Sequence, residues 1–177
     1  MSYQIYFQKA SLKSFFSLQL LVAIGLFGLL LFESALAGFG VFLFATPFLS
    51  FTIFFILTIF YPVALPLNTI FIITILHDIF VSSLYHSQTF AILLALTIIK
   101  RVISFPEQRD FIEIWQGFGV AMVIMLAVQA LGFMVLELSL VNWQALLFQF
   151  GISLLFYPFI HAMTMRLSQA FVESAER

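Results

Sequence analysis

The chain contains no cysteine, which excludes disulfides, thiolate nucleophiles and Cys-based metal sites. It is also nearly without charge. Only 8% of its 177 residues are charged, against roughly a quarter in an average soluble chain. That is too little to clothe a water-facing surface when 63% of the residues are hydrophobic and 25 are Phe. A soluble domain is excluded on this balance, and so is disorder, which needs low hydrophobicity. Seven Lys and Arg against eight Asp and Glu leave a formal net charge of −1, so no electrostatic argument for nucleic-acid binding arises. Catalytic signatures are missing as well: there is no Gly-x-Ser-x-Gly, His-Glu-x-x-His or Walker-type phosphate loop.

What is present is a succession of apolar runs. At about 20 residues per helical crossing, the length accommodates roughly six spans with short connections. The runs predict spans over Phe15–Phe32, ending near Glu33, then Val41–Tyr61, Leu65–Tyr85, Thr89–Ser104, Ile114–Leu136 and Trp143–Met165. The first run is longer than the core of a secretory signal and has no convincing cleavage site, so it reads as a retained span. Thr46 followed by Pro47 is an N-cap and first-turn pair, which would start the regular part of the second helix late. The expected fold is all-α: a polytopic membrane protein with about six transmembrane helices in one bundle. One integral domain results, with an N-terminal segment over 1–14, the bundle over 15–165 and a tail over 166–177.

Six crossings place both termini on one side, and the basic residues agree. Lys9 and Lys13 precede the first span, Lys100, Arg101 and Arg109 lie between the fourth and fifth, and Arg166 and Arg177 follow the sixth. Under the positive-inside rule this predicts cytoplasmic termini and a cytoplasmic fourth connection. Glu33 and Glu137 then fall near the outer face. Ala91/Ala95 and Gly117/Ala121 are small-xxx-small pairs suited to close helix approach. Trp115 and Trp143, near opposite ends of their spans, are placed as interface anchors. Pro158 should kink the last span, because it removes one helical hydrogen bond, and Gly151 offers a close-approach point on the same helix.

The sharpest anomaly is Asp78, inside the third span, where an ionised carboxylate costs about 2.5 to 3.5 kcal/mol on insertion scales. Thr74 and Ser82 lie four residues to either side and share its helical stripe. The three form a candidate intramembrane polar anchor, with the hydroxyls as hydrogen-bond partners and Gln129 and Gln149 as further candidates. His77 is about 100° around the helix, which favours a different neighbour. The other two histidines, His86 and His161, are read as a turn residue and an inner-end residue; with His77 they sit too far apart to assemble a metal site. No catalytic residue, cofactor or metal is called. Lys100, Arg101 and Arg109 form a candidate cytoplasmic contact for lipid headgroups or a partner.

A family resemblance joins these features. Pro47 heads an aromatic, Leu/Ile-rich helix, and Pro62 and Pro66 follow it. Ile75-Leu76-His77-Asp78-Ile79-Phe80 is an apolar-Asp-apolar segment, Lys100-Arg101 closes the fourth span, and Leu155-Phe156-Tyr157-Pro158-Phe159 is followed by Arg166. This pattern, from about Pro47 to Phe171, resembles MreD, the small membrane component of the bacterial rod-shape system. Where that family carries small residues around the Asp, this chain has Thr74, Ser82 and His86. The resemblance implies a non-enzymatic scaffold in the bacterial inner membrane. Its implied partners are an MreC-like bitopic protein, the MreB filament system and the RodA/penicillin-binding transpeptidase machinery of lateral peptidoglycan synthesis. The alternative is a transport module resembling the substrate-binding component of an energy-coupling-factor transporter. Such a module needs a polar cavity, for which Asp78, His77, Gln129, Glu137 and Gln149 are the available side chains, whereas a scaffold should be filled by Phe, Leu and Ile.

Overall fold

A computed structural model of the chain describes residues 12–38, 48–62, 65–80, 87–103, 110–137 and 142–175. These residues form six helices and no strand: α1 Leu12–Gly38, α2 Leu49–Phe60, α3 Leu67–Phe80, α4 Ser87–Val102, α5 Phe111–Glu137 and α6 Trp143–Ala175. Three are long and apolar enough to cross a bilayer, over Gln19–Leu36, Phe111–Gly132 and Trp143–Arg166. The outer surface is apolar too: Leu155 is 75% exposed, Val135 73% and Phe159 68%. In water that surface would drive aggregation, whereas in lipid it costs nothing. The chain is thus all-helical with the marks of a membrane protein.

The helix ends differ from the hydropathy reading. The first helix does not stop near Glu33 but runs to Gly38, so Glu33 is an interior residue of α1. Regular structure in the second run begins at Leu49; Thr46 and Pro47 lie outside the described residues. As described, helices α2 and α3, at 12 and 14 residues, reach about 18 and 21 Å, less than a hydrocarbon core about 30 Å thick. The last helix continues to Ala175, well beyond the expected end at Met165.

Contacts between helices order their directions. The end of α1 meets the start of α2 through Glu33 and Ser50, and the end of α3 meets the start of α4 through Asp78 and Thr89. Ser34 and His77 join the ends of α1 and α3. Phe60 and Tyr61 at the end of α2 meet His161 and Met165 late in α6. Ile103, just past α4, packs near Gly117 early in α5.

Helix α2 is the hub. It packs against α1, α4 and α6, and eight of its twelve residues are buried, Phe51, Phe54, Phe55 and Ile56 among them. A helix apolar on every side belongs in the interior. Aromatic rings fill the space around it. Phe118 of α5 stacks on Tyr157 of α6 at 4.5 Å between centroids, and Phe55 meets Phe118 edge-on at 5.3 Å. The most extensive helix pairing is α4 with α5, where Ala91, Ala95 and Ala121 are fully buried. A Cβ added at Gly117 would come within 2.7 Å of the Ile103 Cδ1. Small residues at those four positions therefore sit where these two helices pack.

Pro158 lacks the N–H that would bond the Leu154 carbonyl one turn earlier. The indole Nε1–H of Trp115, on α5, donates to that carbonyl at 3.2 Å. Trp115 thus ties two helices together, a use not visible in its position near a span end. Trp115→Phe is expected to destabilise the bundle by about 0.6 kcal/mol and at most about 1.7, the range for interhelical hydrogen bonds in lipid. In a Pro158→Ala background, where the helix supplies its own donor, the same change should cost measurably less. A double-mutant cycle by SDS titration in bicelles reads the difference; equal costs in both backgrounds would show that the indole bond does not compensate the proline.

Candidate functional site

Two carboxylates lie inside helices of an apolar bundle, and each ends at the start of another helix. A helix N-terminus leaves four backbone N–H groups without partners and carries the positive end of the macrodipole. In α2 the N-cap residue is Phe48, whose ring has no acceptor to offer. Glu33 supplies it from α1. One oxygen, Oε1, accepts the Ser50 N–H at 2.6 Å; the other, Oε2, accepts the Ser50 hydroxyl. The Phe48 N–H donates to the Ser153 hydroxyl oxygen of α6 at 2.9 Å, and that hydroxyl donates in turn to the Gln149 carbonyl at 2.8 Å. The start of α2 is thereby satisfied by side chains from two other helices.

Asp78 repeats the arrangement on α4. Its Oδ2 accepts the Thr89 hydroxyl at 2.6 Å, with the Thr89 N–H at 3.4 Å. Both carboxylates therefore serve as caps supplied from another helix, in the manner of a local Asp or Ser cap but across a helix boundary.

One more contact joins the two caps. Ser34, next to Glu33, donates its hydroxyl to the Leu30 carbonyl at 3.0 Å and lies 2.7 Å from His77 Nε2. The other ring nitrogen, Nδ1, is 3.5 Å from Asp78 Oδ1, an oxygen without a hydrogen-bond partner among the described residues. His77 and Asp78 are 4% and 2% exposed, so this contact is dry. A belt of polar groups, Ser50 and Glu33, then Ser34, His77, Asp78 and Thr89, runs across α2, α1, α3 and α4 at one end of the bundle.

The belt changes the sequence-based anchor. Thr74 is buried, but its hydroxyl donates to the carbonyls of Ile70 at 2.9 Å and Phe71 at 3.2 Å. Within a helix the carbonyl one turn back is nearer than any interhelical partner, so Thr74 does not serve Asp78. Thr89 does, in place of Gln129 and Gln149. Ser82 and His86 lie outside the described residues. His77 meets Ser34 of another helix, and its second nitrogen still faces Asp78. Glu33, Ser34, Ser50 and Thr89 were not singled out for this role. The available signal was the pairing of an acid late in one apolar run with a hydroxyl residue early in the next.

At the opposite end, Lys100 and Arg101 are exposed in the last turn of α4, where cations favour the helix dipole; Arg109 lies outside the described residues. His161 is boxed by the rings of Phe60, Phe111 and Tyr157, with centroids 5.4 to 5.7 Å away. Among the described residues no group of three His, Cys, Asp or Glu is placed to hold a metal ion.

No family model, curated protein or solved structure matches the chain. What the belt does chemically is clear from its bonds: both carboxylates are engaged by helix-end donors, and the polar atoms join helices.

Proposed function

We propose that this chain is a non-catalytic membrane scaffold, an MreD-like component of the bacterial cell-elongation machinery in the inner membrane. The reading rests on the motifs around Pro47, Asp78 and Pro158 and on one structural observation. Where a transport component needs a polar cavity, the centre of the bundle is packed with Phe51, Phe54, Phe55, Phe118 and Tyr157, all 0% exposed. Asp78, one of the side chains such a cavity would need, is instead bonded to a helix start, as is Glu33. A chain of this kind acts through helix surfaces and short loops, and its natural partner is a bitopic, MreC-like membrane protein; MreB and the RodA/transpeptidase complex are further contacts.

The alternating directions of the six described helices support a reading in which both ends of the bundle lie on one side, the cytoplasmic one. Lys100, Arg101 and Arg166 fall at the bundle end where α1 begins, and Glu33 and Asp78 fall toward the other. The gathering of the cations at one end is what the positive-inside rule reads as cytoplasmic; the acids carry little weight in it.

The test is affinity purification of the tagged chain from the membranes of its own bacterium, combined with depletion. A co-purifying single-span protein with a periplasmic coiled coil, and rounding of depleted cells, is the expected result. A retained small molecule together with an ATPase module, and unchanged cell shape, would overturn the scaffold in favour of transport.

A further inference from the structure

Helices α1 and α3 are joined at one end of the bundle. Ser34 and His77 hold them together at 2.7 Å, and the rings of Phe27 and Phe80 meet edge-on at 5.7 Å. Beyond Phe27 a groove opens to the surface, with a volume of about 400 Å³. Its walls are Leu20, Ala23 and Ile24 of α1 and Thr69, Ile72 and Leu76 of α3. Leu20, Ile24, Ile72 and Leu76 are exposed along its rim.

The groove's lining is apolar apart from Gln19 and Thr69, too few polar groups to hold water, which needs two to four partners. Left unfilled, its walls lose dispersion contacts. The occupant must be apolar, and the dimensions choose among candidates. Along α1 the groove runs from Gln19 to Phe27, about 12 Å at 1.5 Å per residue, close to the roughly 15 Å of one leaflet's hydrocarbon. A helix about 10 Å wide would occupy roughly 900 Å³ over that length, more than twice the space. An engineered protein cavity of about 150 Å³ takes up benzene, so at that allowance the groove accommodates roughly sixteen carbons. Extended, a chain of that size outruns the roughly 12 Å length, so the groove takes most of one acyl chain and no helix.

Charge selects the headgroup. The groove opens toward the end of the bundle where α1 begins, with Lys13 six residues before Gln19 in the same helix. Lys100, Arg101 and Arg166 lie at that end as well. Basic residues at one leaflet surface attract anionic lipids by about 1 kcal/mol each. We propose that the α1/α3 groove is a binding site for one acyl chain of an anionic phospholipid, drawn from the leaflet at the basic end of the bundle.

The experiment delipidates the full-length protein in detergent and reloads it from vesicles of equal phosphatidylglycerol and phosphatidylcholine with matched chains. Native mass spectrometry then counts the retained lipid. One phosphatidylglycerol per chain is expected, in excess over phosphatidylcholine. Ala23→Trp and Ile72→Trp, two independent ways of filling the groove, should each lower its retention about tenfold, equivalent to 1.4 kcal/mol. Leu21→Trp, on α1 but outside the groove, should leave retention unchanged; circular dichroism confirms helicity in all three. Equal retention in both filled variants, or no preference for phosphatidylglycerol, overturns the proposal. So does a disulfide between two chains carrying Ala23→Cys, which would make a second copy the occupant; the absence of native cysteine makes that readout unambiguous.

Discussion

Glu33→Ala is expected to cost the bundle about 2 kcal/mol, since it removes two interhelical hydrogen bonds, each worth about 0.6 and at most about 1.7 kcal/mol in lipid. Those two bonds are the cap of a buried helix start, and cap losses run to about 2 kcal/mol. The change leaves the Ser50 N–H and hydroxyl without their acceptor in surroundings that offer few others. The loss should be local before it is global. Amide hydrogen exchange over Ser50, Phe51 and Thr52 should accelerate while α5 keeps its protection. Glu33→Gln should fall between wild type and Ala, because its single carbonyl oxygen can accept one of the two donors. Steric-trapping measurements in bicelles give the free energies. If the Ala and Gln variants both lie within about 0.5 kcal/mol of wild type, a range typical of featureless surface sites, the capping role of Glu33 is wrong.

The second large effect is expected at Phe118. Its ring is fully buried, stacked on Tyr157, edge-on to Phe55 and tilted against Phe51 at 6.0 Å. It therefore bridges α2, α5 and α6. In a soluble core Phe→Ala costs about 3 to 5 kcal/mol, part of it the transfer of the ring from water. In a bilayer that transfer gain is absent, because the separated helices are already in an apolar solvent, and packing alone is lost. Phe118→Ala should therefore cost about 2 to 3 kcal/mol, below the soluble value. Phe118→Leu, which keeps much of the volume, should cost less than half of that. SDS titration of the two variants measures both, and an Ala variant as stable as the Leu variant would mean that the aromatic cluster repacks freely.

Much of the fold was legible in the sequence. Trp143 was predicted as the first residue of the last helix, and α4 begins within two residues of the expected Thr89. The small residues of α4 and α5 were recognised for the packing they serve, because a missing side chain constrains approach whatever surrounds it. The polar site was legible only in part. Asp78 stood out because its chemistry conflicts with its apolar neighbours, whereas Glu33 was hidden by an assumed helix end five residues too early. Thr74 was misassigned because a shared stripe on one helix says nothing about the competing carbonyl one turn back. Trp115 looked like an interface residue, and its partner, an unbonded carbonyl created by Pro158, is 39 positions away in sequence.

By itself the sequence determined that this is a helical chain for a lipid environment, with its few positive charges kept out of the apolar runs. Hydropathy and charge act residue by residue against the solvent, so they need no knowledge of neighbours. Only the tertiary structure decided which helix start each carboxylate caps, which indole relieves the proline, and where a groove lies between α1 and α3. Those outcomes depend on the rotation and depth of each helix, and helices apolar on nearly every side carry no periodic pattern that fixes either one.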